Sequence, residues 1–249
     1  MPAKSLAQEV GLQDTINRYF PYLMEVRKRL LFVVSLFAVA AIFGFFYYEK
    51  IITFILRFLR FEGVNIVFTS PFQFFTLAIN SGIFIGLVVI FPLFLYQPMA
   101  FLKPALHKKE YRLVIALLPL SIILFVGGFV FGIAIMKYVV AIFYQKSVEL
   151  QIGNLLDIEL LLNKIILTGA LMGLGFQFPI VMTVLMRLKV VKYKAFIKQR
   201  FIAWAVAIVF SALLPPTDIL SLILLTLPLV ILFEFTLILN RLIFKAHLL

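Results

Sequence analysis

PLFLYQPMAFLKPALHKKEYR, residues Pro92–Arg112, decides how the chain is read. It lies between two long apolar runs, about Phe72–Tyr96 and Leu113–Met136, and overlaps the end of the first. Pro92, Pro98 and Pro104 punctuate it, and Lys103, Lys108, Lys109 and Arg112 surround one acid, Glu110. As helices at ~1.5 Å rise per residue, both flanking runs are long enough for a hydrocarbon layer of ~30 Å. The stretch between them then reads as a basic loop held on one side of a membrane.

Four more runs extend the pattern: Leu30–Tyr48, Ile165–Met186, Phe201–Leu214 and Ile219–Leu239. The first comes late and is long, unlike the apolar core of a cleaved leader, and is expected to be a retained span. The run Phe201–Leu214 covers only about 21 Å as a helix, short for a span. Leu214-Pro215-Pro216-Thr217-Asp218 alone separates it from the last run. The prolines stop one helix and Thr or Asp caps the next, so the two form a tight hairpin. Trp204 and this forced hairpin favour a short paired span, around which the bilayer thins. The expected fold is an all-α membrane protein. It is one polytopic domain over residues 1–249, with six transmembrane helices in a curved bundle and a short final hairpin.

Composition agrees. The 249 residues are 64% hydrophobic and 14% charged, more apolar side chain than a soluble domain of this length can cover. There is no cysteine, and His107 and His247 are the only histidines, so no metal site or cofactor is expected. The net charge of +12 does not imply nucleic acid, because the cations are dispersed over loops. Seventeen of the 23 Lys and Arg residues fall on the side that holds both termini, the loop 97–112 and the loop 187–200. That side is expected to be cytoplasmic. On the other side, Ile51–Phe61 carries Arg57 and Arg60 one helical turn apart and reads as an interfacial helix. Tyr138–Tyr144 reads as an extension of the third span.

Gly82/Gly86, Gly128/Gly132 and Gly169/Gly173 form three G-x-x-x-G pairs, expected mainly to pack helices within the bundle. Pro119, Pro179 and Pro228 lie inside runs and bend them, giving the bundle a concave wall. Gln177 and Glu234 are polar residues placed deep within the fourth and sixth runs. A carboxylate there is costly unless paired, protonated or wet, so Glu234 reads as functional. Gln177 does not titrate, and a neighbouring helix can satisfy its amide. Glu25, in FPYLMEVRKRLL, has Lys28 and Arg29 as its i+3 and i+4 neighbours, a surface ion pair in the plainest reading. Glu110 has Leu106, His107, Leu113 and Val114 at those spacings and no strong local cation. Two carboxylates on a basic face are suited to receive guanidinium groups. No P-loop, G-x-S-x-G or H-E-x-x-H is present, and no enzyme activity is expected.

The order of these pieces resembles the TatC family, the multi-spanning core of the twin-arginine protein translocase. The resemblance rests on F-P-Y-L-M-E-V-R-K-R-L, T-S-P-F-Q-F-F and Y-Q-P-M-A-F-L-K-P-A-L-H-K-K-E-Y-R. G-L-G-F-Q-F-P-I, P-P-T-D and L-F-E-F complete it, and together these cover roughly residues 20–240. It implies a receptor for signal peptides of folded cargo that carry paired arginines, with export driven by the proton-motive force. It implies that Glu25 and Glu110 take the arginines, with Phe101, Arg27 and Arg29 beside them. It implies single-span partners of the TatA/TatB type, docking at the hairpin with Pro215, Pro216 and Asp218. Family members commonly carry Glu where Gln177 stands, Thr where Leu214 stands, and often Gln where Leu222 stands.

The expected protein is therefore a multi-pass component of a plasma or inner membrane, or of an organellar one. It would contact anionic lipid and self-associate. Two rivals stand beside it: a proton-coupled small-solute transporter using Glu234, and a passive membrane scaffold.

Overall fold

The computed structural model describes residues 2–59, 65–102, 107–151 and 155–242. These form helices α1 (Pro2–Phe46), α2 (Tyr48–Leu59), α3 (Gln73–Leu102), α4 (Lys108–Glu149), α5 (Ile158–Gly175), α6 (Phe178–Arg187), α7 (Tyr193–Lys198), α8 (Arg200–Ala212) and α9 (Ile219–Leu242). Two short strands, β1 (Asn65–Val67) and β2 (Leu155–Asp157), pair in parallel with Asn65 opposite Leu155.

Five stretches are long and apolar enough to cross a membrane: Met24–Phe46, Gln73–Leu93, Glu110–Glu149, Ile158–Arg187 and Ile219–Leu242. The 13-residue α8 is apolar but shorter than these, about 20 Å along its axis. It is paired with α9, as the hairpin predicted. Phe32, Phe43, Ile123, Val209 and Phe235 are all more than half exposed. So much apolar side chain facing outward is stable only against lipid.

The packing is a row of three antiparallel pairs. α1 lies along α3, α4 along α5, and α8 along α9, with α4 and α6 joining the second pair to the third. Glycines set the first two contacts. A Cβ on Gly82 would lie 2.6 Å from the Ala41 carbonyl oxygen of α1, and one on Gly44 would lie 2.9 Å from Gly82 Cα. Between α4 and α5, a Cβ on Gly132 would fall 2.8 Å from Gly169 Cα, and one on Gly128 would fall 2.6 Å from the Met172 oxygen. All three glycine pairs thus sit at helix contacts inside one chain: Gly82, Gly128 and Gly132 admit neighbouring backbone, and Gly86, Gly169 and Gly173 admit the rings of Phe37, Phe129 and Phe125.

The amphipathic α2 buries Ile52, Ile55 and Leu59 against Leu77, Ile133, Met136, Val140 and the start of α5. Arg57 is in it, and Arg60 lies outside the described residues. The β1–β2 clip beside it is fastened by Asp157. Its Oδ1 accepts the Leu160 amide at 3.0 Å, capping α5, and its Oδ2 accepts from Gln73 Nε2 at 2.5 Å and from the Thr69 hydroxyl. The Thr69 bond leads in holding the Asp157 carboxyl below its ordinary range.

Helix ends differ from the apolar runs. α1 begins at Pro2, and α4 has 42 residues and runs to Glu149, past Tyr144. α3 continues through Pro92 and Pro98 to Leu102, so most of the expected loop 97–112 is helix. A proline removes one hydrogen bond and bends a helix, and neighbouring helices allow it to continue. The fourth run is two helices, with a break at Phe176–Gln177 just before Pro179.

Candidate functional site

α1, α3 and α4 meet at the end of the bundle that carries the basic segments. Here Glu25, Lys28, Arg29 and Phe32 of α1, Tyr96 and Gln97 of α3, and Tyr111 of α4 line an open cleft of about 500 Å³. Because α1 is helical here, Glu25, Lys28, Arg29 and Phe32 share one face, at spacings of three and four. Helical continuation of α3 past Pro92 brings Tyr96 and Gln97 opposite that face.

Glu25 makes the ion pair its spacing predicted. Arg29 Nε and Nη2 both donate to Glu25 Oε1, at 3.0 and 2.6 Å. Arg29 Nη1 donates across to Gln97 Oε1 at 2.9 Å, which ties α1 to α3. The pair is half exposed, with side-chain exposures of 47% for Glu25 and 29% for Arg29, so solvent screens it and it is labile. Tyr96 and Tyr111 line the cleft together at the α3–α4 junction.

Glu110 stands directly before Tyr111, at position N3 of α4. Its Oε2 accepts the His107 backbone amide at 2.9 Å, so the carboxylate that lacked a cation partner is a helix cap. It is half-buried and sits where the helix dipole favours an anion. Arg27 is exposed and does not line the cleft. Phe101 lies in the last turn of α3, and its side chain is outside the described ones. Lys103 and Pro104 are also outside the described residues.

The two intramembrane polar residues lie apart from this cleft. Gln177 is buried at the α5–α6 break. Its Oε1 accepts from the Ser121 hydroxyl of α4, and its Nε2 donates to the Ser121 and Gly173 carbonyls at 3.1 and 3.3 Å. That is the silent satisfaction by a neighbouring helix that an amide allows, and it closes the gap the break leaves. Beside it an apolar groove of about 280 Å³ runs between Phe178, Ala207, Phe210 and Leu229.

Glu234 lies within the apolar stretch Ile219–Leu242, two turns from the end of α9, and pairs with Arg200, at the start of α8, at 3.3 Å. Its Oε1 is buried without a hydrogen-bond partner among the described residues.

The hairpin lies at the opposite end. Leu214 is fully buried against Met172, Leu225 and Leu229, and the Pro215 carbonyl accepts from Thr168 Oγ1 at 2.5 Å. Pro216 follows it in the turn. Asp218 caps α9 through the Ser221 amide at 2.9 Å and its hydroxyl at 2.6 Å. Burial pushes the Asp218 carboxyl up, but these bonds outweigh it and hold the group below its ordinary range.

Tyr96, Gln97 and Tyr111 were not singled out from the sequence. The signal was two tyrosines near the ends of Pro92–Arg112, one of them beside an amide. Among the described residues no cluster of His, Asp or Glu is able to hold a metal ion.

The chain matches the family model TatC, described as Sec-independent protein translocase protein (TatC), over residues 21–228. It is 31% identical to the Sec-independent protein translocase protein TatCy of Bacillus subtilis over 226 residues, 88% of this chain and 87% of that protein. It is likewise 31% identical to TatC of Listeria innocua, over 88% of this chain and 89% of that one. A crystal structure titled as the twin-arginine translocase receptor TatC, in DDM, superposes with a TM-score of 0.76 at 25% identity. It covers 87% of this chain and 98% of that one.

Proposed function

The chain belongs to the TatC family of Sec-independent protein translocase proteins, and we propose that within that translocase it is the receptor for twin-arginine signal peptides. It is a multi-pass membrane protein of a protein-transport system. The observation that carries the receptor reading is the cleft at the basic end. It holds Glu25, with Glu110 one residue from its Tyr111 wall, in a face otherwise dominated by cations.

In this reading the basic end is cytoplasmic, in a plasma membrane, and faces the arriving cargo. Carboxylates take guanidinium groups through paired, charge-assisted bonds, and a tyrosine-walled cleft shields them from water. Glu25 offers a carboxylate whose Oε1 already accepts both N–H bonds of a guanidinium fork. Glu110 offers the oxygen that does not cap α4. Phe101, in the same stretch of α3, supplies an apolar contact for the residue after the arginines, and Arg27 and Arg29 flank the site. The apolar part of the signal lies along the bundle toward the groove beside Gln177. TatA/TatB-type single-span partners dock on α8 and α9, whose outward faces at Phe201, Val209, Ile223 and Ile231 are apolar and more than half exposed. The proton-motive force drives transport, and the chain itself is not an enzyme. The remaining cations contact anionic lipid head groups, and self-association belongs to the same proposal.

Photo-crosslinking of a twin-arginine signal peptide to the full-length chain in membranes tests it. Glu25→Lys and Glu110→Lys are each expected to abolish the crosslink. Undiminished crosslinking in both would overturn the site assignment.

A further inference from the structure

The cleft already holds a guanidinium, and it is the protein's own. Arg29 folds back one turn onto Glu25 and reaches across to Gln97. Three N–H groups of one planar fork are bound by two acceptors on two different helices, at 3.0, 2.6 and 2.9 Å. Phe32, Tyr96 and Tyr111 give the cleft aromatic walls, on which a guanidinium plane can stack. An ammonium group is a compact point donor and does not span two such acceptors in one plane.

We propose that Glu25 and Gln97 form a guanidinium cradle in which Gln97 discriminates arginine from lysine, and that Arg29 fills it until an arginine of the signal peptide takes its place. This rests on the reading of the chain as a twin-arginine receptor. Replacement suits the cleft better than addition. Lys28 lines it too, so a further cation entering beside Arg29 meets two like charges and shares one carboxylate. When Arg29 leaves, the acceptors keep their partners and the lining keeps its charge balance. The exchange is cheap, because a half-exposed pair four residues apart is only weakly held. Self-occupancy lowers the apparent affinity for peptide by the fraction of time the cradle is open. It also leaves no carboxylate bare when cargo is absent.

The test titrates the full-length chain in detergent with a fluorescent Arg-Arg signal peptide and its Lys-Lys counterpart. Arg29→Gln removes the occupant, and we expect it to bind the Arg-Arg peptide about two- to fivefold more tightly than the unaltered chain. Arg29→Lys keeps the charge but loses the fork, and is expected to fall between the two. It carries the same test if Arg29→Gln does not fold. Gln97→Leu is expected to cut the Arg-Arg over Lys-Lys preference about tenfold, because the lost bond serves only the fork. Unchanged or weaker Arg-Arg binding in the Arg29 variants, with the unaltered chain binding normally, would overturn the exchange and leave the receptor reading standing. An unchanged preference in Gln97→Leu would overturn the discriminating role. An unaltered chain that does not distinguish the two peptides would overturn the receptor reading and the cradle with it.

Discussion

Replacing Gly132 by alanine is expected to push α4 and α5 apart. The added Cβ would lie 2.8 Å from Gly169 Cα, 2.9 Å from the Thr168 oxygen and 3.1 Å from Gly169 N. All three are backbone atoms, so no side chain can rotate away. Ordinary contact begins near 3.4 Å, which requires the two helices to separate locally by about half an ångström. Overpacking of this kind costs about 1–3 kcal/mol, partly offset by the better helix propensity of alanine. Gly127 is the internal control: it is on the same helix, exposed, and a Cβ there meets nothing within 4 Å. Gly127→Ala should therefore gain about 0.5–1 kcal/mol from propensity alone. The assay is the fraction of detergent-solubilised protein that stays monodisperse on size exclusion after heating. Gly132→Ala should lose its monodisperse peak several degrees below the unaltered chain, at about 2–4 °C per kcal/mol for a chain of this length. Gly127→Ala should match or exceed it. Equal behaviour of the two variants would refute the close α4–α5 packing.

Glu110 carries a cap and a charge, and these separate. Glu110→Gln keeps an N3 acceptor and should leave thermal stability within about 0.5 kcal/mol while weakening Arg-Arg peptide binding; Glu110→Ala should also lose about 1 kcal/mol of stability. Asp157 has its carboxyl held low in the fold, so its contribution is complete above its ordinary value near 4 and is lost as pH falls through the lower folded value. Stability should drop on acidification in that window, and Asp157→Asn should flatten the drop in a melting series. Glu234→Gln leaves Arg200 without its carboxylate and should loosen α8 on α9, seen as faster hydrogen exchange at the start of α8.

Much of the fold was legible in the runs, because hydrocarbon thickness sets a minimum apolar length that no loop imitates. The hairpin of α8 and α9 was equally plain from Pro215, Pro216 and Asp218. Helix ends were not. Hydropathy reports where the apolar runs lie, whereas α1 and α4 extend beyond those runs and α3 passes through Pro92 and Pro98. The break at Gln177 and the β1–β2 clip depend on partners far along the chain, Ser121 for one and Thr69 with Asp157 for the other. At the site, Glu25 and its Arg29 partner followed from helical spacing. Gln97, 68 residues from Arg29, did not, since spacing within one helix says nothing of what the next presents. Glu110 was noticed for lacking a cation, and its actual partner is a backbone amide that a search among side chains overlooks.

The proposed function is recognition of paired arginines at the basic end of the bundle. Its most direct test is the affinity of the purified full-length chain for a twin-arginine peptide against the same peptide carrying two lysines. The arginine peptide is expected to bind at least about tenfold more tightly, through charge-assisted forked bonds, and the Glu25→Gln, Glu110→Gln double variant is expected to lose that preference. Equal affinity for the two peptides, or a preference that survives the double variant, would contradict it.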